Sequence, residues 1–132
     1  MIESLDHLVL TVSNLRATLD FYTHVMGMEV ITFGQEQGEG RKALRFGQQK
    51  MNLHEQGKEW DPKAAHPLPG SADLCFITQQ PLSSVMADLE RKGVAVLLGP
   101  VMRTGAMGVM GSIYFRDPDG NLIELANYSH GG

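Results

Sequence analysis

The chain has 132 residues, 42% of them hydrophobic and 20% charged, with a formal net charge of −4. That length and balance suit one compact globular unit and exclude the low-hydrophobicity regime in which chains stay disordered. A net negative charge gives no broad positive field, which argues against nucleic acid or an anionic membrane as principal partner and leaves a small molecule as the expected one. The single cysteine, Cys75, has no internal disulfide partner, and the N-terminus carries no signal-like pattern. No apolar run approaches the roughly 20 residues that cross a bilayer, so a cytoplasmic address is expected.

Read from the start, His7 to Val12 is apolar and β-branched, and Ser13-Asn14 after it offers a helix cap. Leu15, Leu19, Tyr22, Val25 and Met26 then follow the three-and-four spacing of one helical face, and Gly27 supplies the stop. Strands are expected near Glu29 to Phe33, Arg41 to Phe46 and Lys50 to His54, separated by glycine-bearing turns. The first half therefore reads βαβββ.

A segment over about 57–70, with Pro62, Pro67 and Pro69, links this module, about 1–56, to a second one over about 71–128. There Asp73 to Thr78 reads as a strand, and Pro81 to Lys92 as a helix with Leu82, Val85, Met86 and Leu89 on one face. Val94 to Leu98 is the next expected strand, followed by a glycine-rich stretch from Gly99 to Gly111 that reads as a mobile loop or lid. Ser112 to Arg116 and Asn121 to Ala126 close the module around a tight Asp117-Pro118-Asp119-Gly120 turn. The order of elements repeats although residue identity between the halves is low.

A module of about 55 residues has a sheet with one apolar face that needs a partner, so the two modules are expected to pair. The fold class is α+β: two paired βαβββ modules forming a curled mixed β-sheet around a cleft, with the helices outside.

Two segments carry a specific resemblance. Phe115-Arg116-Asp117-Pro118-Asp119-Gly120-Asn121-Leu122-Ile123-Glu124-Leu125 resembles the last hairpin of the vicinal oxygen chelate superfamily, whose members include glyoxalase I, bleomycin resistance proteins and extradiol dioxygenases. Leu5-Asp6-His7-Leu8-Val9-Leu10, with Asp20-Phe21-Tyr22 and Gly27-Met28, resembles its first strand and helix. Small glyoxalase domain-containing proteins, with the Asn52-Leu53-His54-Glu55 strand and the Arg103-Thr104-Gly105 loop, are the nearest resemblance. It implies that His7 and Glu124 are metal ligands.

By the same resemblance the four pseudo-symmetric ligand positions fall on His7, Asn52, Asp73 and Glu124. Asn52 is a weak ligand through its amide oxygen, and Asp73 stands where a histidine is common in glyoxalase I and the dioxygenases. His54, two residues beyond Asn52 on the same face, offers a substitute imidazole. The candidate metal set is therefore His7, Glu124, His54 and Asp73, around one divalent ion per site drawn from Ni, Zn, Mn, Fe or Co.

The activity implied is that of a glyoxalase I-like lyase acting on the thiol adduct of a 2-oxoaldehyde, with Glu124 moving the proton and Arg103 and Asn52 contacting substrate. Two alternatives stay open: an Fe²⁺ extradiol dioxygenase using His7, His54 and Glu124, and a metal-free small-molecule or drug binding protein. The resemblance also implies a homodimer. Cys75 is expected to pack as a small hydrophobe, His66 to lie exposed in the linker, His130 to sit in a polar tail, and Trp60 to pin the linker to its module.

Overall fold

The computed structural model describes residues 1–35, 38 and 40–129. His130, expected in a polar tail, lies outside the described residues. The chain divides into two compact units, Met1–Gly70 and Ser71–Gly132.

The first unit runs β1 (His7–Val12), α1 (Leu15–His24), β2 (Glu29–Phe33), β3 (Arg41–Phe46) and β4 (Gln49–Glu55). Asn14 caps α1 by accepting the Ala17 N–H at 2.9 Å, satisfying one of the orphan donors of the first turn. The strands form one sheet in the order β1-β4-β3-β2, with β1 parallel to β4 and the other pairs antiparallel. Alternation sends Leu10, Val12, Leu44, Met51 and Leu53 to one face, where they are buried together with Tyr22 of α1. Each such side chain contributes about 1.5–3 kcal/mol. The opposite face carries His7, Val9, Asn52, His54, Arg41 and Arg45.

The second unit repeats the plan with β5 (Asp73–Ile77), α2 (Leu82–Arg91), β6 (Leu98–Gly105), β7 (Gly108–Arg116) and β8 (Leu122–Asn127). Its sheet order, β5-β8-β7-β6 with β5 parallel to β8, is the first sheet's order transposed. Leu82, Val85 and Leu89 of α2 are buried along with Ile113, Phe115 and Ile123 of the sheet. The Asp117–Gly120 turn is tied by its own side chains. Asp117 Oδ1 accepts the Asp119 and Asn121 N–H groups, each at 2.9 Å, and Oδ2 accepts from Asn121 Nδ2 at 2.8 Å. Asn121 Oδ1 in turn accepts the Ala72 N–H at 2.9 Å, which docks the turn beside the start of β5.

The structure corrects the expected loop over residues 99–111. No strand occupies Val94 to Val96; β6 starts at Leu98 and runs through the glycine-rich stretch to Gly105, pairing with a β7 that begins at Gly108. Gly99 and Gly105 serve close strand approach. A Cβ on Gly99 (φ +122°) would stand 2.6 Å from the Ser112 carbonyl oxygen and 2.8 Å from Ile113 Cα, at a register shift between Leu98 and Val101. A Cβ on Gly105 would run into the Tyr128 hydroxyl and the Met110 sulfur. Tyr128 Oη also accepts the Met107 N–H at 3.0 Å, so the tip of this hairpin is fastened to the unit.

Candidate functional site

The register of the two sheets shows how the repeat places its polar side chains. In the first sheet Val9 stands opposite Asn52, with His7 one row away opposite Lys50. In the second, Cys75 stands opposite Glu124, with Asp73 one row away opposite Leu122. His7 and Asp73 are therefore equivalent, as are Asn52 and Glu124. Each unit presents two of the four candidate positions as diagonal neighbours on the sheet face away from its helix.

Two of these side chains carry an orphaned oxygen. Asn52 Oδ1 and Glu124 Oε2 are both buried without a hydrogen-bond partner. A buried acceptor without a donor costs free energy that a ligand or a cation recovers. His7 is 42% exposed at its side chain, and its Nδ1 lies 2.8 Å from Asp6 Oδ2. Asp73 is exposed. Among the described residues, no three His, Cys, Asp or Glu side chains gather closely enough to hold a metal ion.

His54 is placed differently. It stands opposite Thr11, four residues along β1 from His7, a separation of roughly 13 Å along the strands. Its ring is buried and lies 5.7 Å from the Trp60 ring, and the Arg41 guanidinium lies over the same indole, 4.7 Å from its centroid. Burial, then the nearby Arg41 and Lys63 charges, hold its pKa below the ordinary histidine value, against an opposing pull from Glu59. Trp60 does pin the linker to its module, and the place it covers is His54. His66 is exposed, as expected.

Cys75 departs from expectation. It is exposed on the same face as Glu124, not packed as a core hydrophobe. Its pKa is pushed up to about 11 by desolvation, by the Glu124 charge and hydrogen bond beside it, and by Asp73. The thiol thus keeps its proton and donates a hydrogen bond to the Glu124 carboxylate.

On the other flank of Glu124, Tyr114 stands directly opposite on β7. Its hydroxyl accepts from Arg103 Nε at 2.9 Å, while Arg103 Nη1 donates to the Met102 carbonyl at 3.1 Å. Two of the five guanidinium N–H groups are so committed, and Arg103 itself is exposed. Sequence reading missed Tyr114, although it shares the alternation of Ser112 and Arg116 on the strand that precedes the turn. It also missed Asp6, for which adjacency to His7 was the available signal.

Residues 4–125 match the sequence profile of the Glyoxalase/Bleomycin resistance protein/Dioxygenase superfamily. The chain belongs to this superfamily. It is 53% identical over 97% of its length to 86% of virulence protein STM3117 of Salmonella typhimurium. It is 54% identical, over 96% of its length and 69% of that protein, to glyoxalase domain-containing protein RDO1 of Mycosarcoma maydis. The crystal structure of STM3117 superposes with a TM-score of 0.92 at 52% identity, covering 97% of this chain and 98% of that one. A lactoylglutathione lyase from Agrobacterium tumefaciens shares the fold, with a TM-score of 0.70 at 21% identity over 96% of this chain and 94% of that one. The superfamily includes enzymes, and no helix among the described residues is long and apolar enough to cross a membrane.

Proposed function

We propose that the protein is a divalent-metal-dependent, glyoxalase I-like lyase that isomerises the hemithioacetal of a 2-oxoaldehyde. The observation that carries the reading is the unpartnered, buried Glu124 Oε2, at the repeat position equivalent to Asn52, whose Oδ1 is also unpartnered. Superfamily membership and the glyoxalase domain-containing relative support the same direction.

The donor set fits a borderline divalent cation. The imidazole of His7 and the carboxylates of Glu124 and Asp73 are the N and O donors that Ni²⁺, Zn²⁺, Mn²⁺, Fe²⁺ or Co²⁺ accept. His54 is left out of the set because of its distance along the sheet from His7 and its packing on Trp60. The same two observations disfavour the catechol dioxygenase, which needs both histidines on one ion. The first unit supplies one of these donors and the second unit two, and the proposal includes a homodimer in which His7 of one copy is joined by Asp73 and Glu124 of the other.

A bound divalent ion supplies Lewis-acid stabilisation of the oxyanion that develops on two adjacent substrate oxygens. The chain's own residues do the rest. Glu124 Oε2 takes the proton from the thiol-bearing carbon and returns it to the neighbouring carbon, giving the thioester of a 2-hydroxy acid with no net change of redox state. Cys75 holds the other side of the carboxylate, while Asn52 and the uncommitted N–H groups of Arg103 orient the substrate.

Elemental analysis of the purified protein and of the His7→Ala and Glu124→Ala variants tests the assignment. The reading expects stoichiometric metal in the wild type, loss of it in both variants, and thioester formation from methylglyoxal and glutathione only in loaded protein. Unchanged metal content in both variants contradicts it.

A further inference from the structure

We propose that Asp6 is the positioning residue for His7: its carboxylate accepts the Nδ1–H, fixes the ring tautomer and leaves Nε2 as the nitrogen whose lone pair is free for a metal ion. The inference rests on the metal-site reading above. A carboxylate oxygen 2.8 Å from Nδ1 can only accept, so the ring proton belongs on Nδ1 and Nε2 is left as the acceptor nitrogen. Histidine ligands characteristically donate their second nitrogen to such a partner, which orients the ring and makes the ligating nitrogen more basic.

The backbone holds the two residues for this task. His7 is the first residue of β1 and pairs with Lys50, while Gln49 Nε2 donates to the Leu5 carbonyl at 3.1 Å. Asp6 is thus suspended between two points fastened to the start of β4. The arrangement belongs to the first repeat alone: the equivalent of His7 is Asp73, and the residue before it is Ala72, which has no side-chain acceptor. Asp6 is 89% exposed at its side chain, so the contact adds little to the fold, and its removal acts on the ligand instead.

The test uses Co²⁺ as probe, titrated into metal-free full-length protein and followed by calorimetry and visible d–d absorbance. Asp6→Ala is expected to weaken Co²⁺ binding roughly 10–100-fold while its unfolding midpoint stays at the wild-type value. Asp6→Asn, which keeps an acceptor oxygen, is expected to recover most of that loss. Nitrogen-15 NMR of the metal-free wild type, assigned with His7→Ala, should show a protonated Nδ1 and an unprotonated Nε2; Asp6→Ala should shift protonation toward Nε2. Wild-type affinity in Asp6→Ala, where His7→Ala has lost Co²⁺, overturns the role of Asp6 and leaves the metal site standing. Wild-type affinity in His7→Ala overturns the metal-site reading, and the positioning role with it.

Discussion

Cys75 and Glu124 face each other across the parallel β5–β8 pair, and the thiol donates its hydrogen bond to the carboxylate. The same position in the first repeat pairs Val9 with Asn52, so a charge-holding couple in one unit answers an uncharged one in the other.

The thiolate is the form that alkylates, and the Cys75 pKa is pushed up to about 11. Iodoacetamide should therefore modify Cys75 about 100-fold more slowly at pH 8 than a thiol at the ordinary value, despite its exposure. Glu124→Gln removes a neighbouring charge and should speed the reaction. A wild-type rate equal to that of a free thiol would contradict the couple.

Burial shifts His54 in the other direction, since its charged form is the protonated one. Its folded pKa is lowered while the unfolded value stays at 6.5, so the unfolded state binds the proton first as pH falls. Stability from keeping this ring neutral is present above about pH 6.5 and declines below it. Urea unfolding, read by Trp60 fluorescence, should show a midpoint that drops from pH 7.5 to pH 5. The drop should be smaller in His54→Asn.

Gly99 is the position where a side chain meets immovable backbone. Gly99→Ala should cost about 1–3 kcal/mol or more, from strained φ and collision with Ser112 and Ile113. Gly27 also has a positive φ, of +72°, but open space around it, so Gly27→Asn should be tolerated with a much smaller change in urea midpoint.

The strands from Glu29 to Phe33 and Arg41 to Phe46 were legible because glycine-bearing turns bracket them, and α1 because Asn14 precedes a regular apolar stripe. The β6–β7 hairpin was not. Gly99, Pro100, Gly105 and Gly108 are loop signals locally; crowding by Ser112 and Ile113 explains Gly99, crowding by Tyr128 and Met110 explains Gly105, and the positive φ of +130° explains Gly108. The candidate positions at His7, Asn52, Asp73 and Glu124 were legible through the family motifs. The register that sets Cys75 beside Glu124, and the packing that sets Trp60 over His54, depend on pairings 49 and 6 residues apart that no local pattern encodes.

If the metal donors come from two copies, mixing His7→Ala with Glu124→Ala protein should restore activity under subunit exchange. A heterodimer then has one intact site, and it should reach about half of wild-type turnover per dimer. Monomeric sedimentation, or no recovery despite proven exchange, would rule out sharing.

The most direct test of the lyase reading is thioester formation from the methylglyoxal–glutathione hemithioacetal by metal-loaded wild type and Glu124→Gln. Glutamine keeps an oxygen for the metal but cannot carry the proton. The account predicts turnover in the wild type and a roughly 10²–10⁴-fold lower kcat in the variant. No turnover by loaded wild type, or an unchanged kcat in Glu124→Gln, would contradict it.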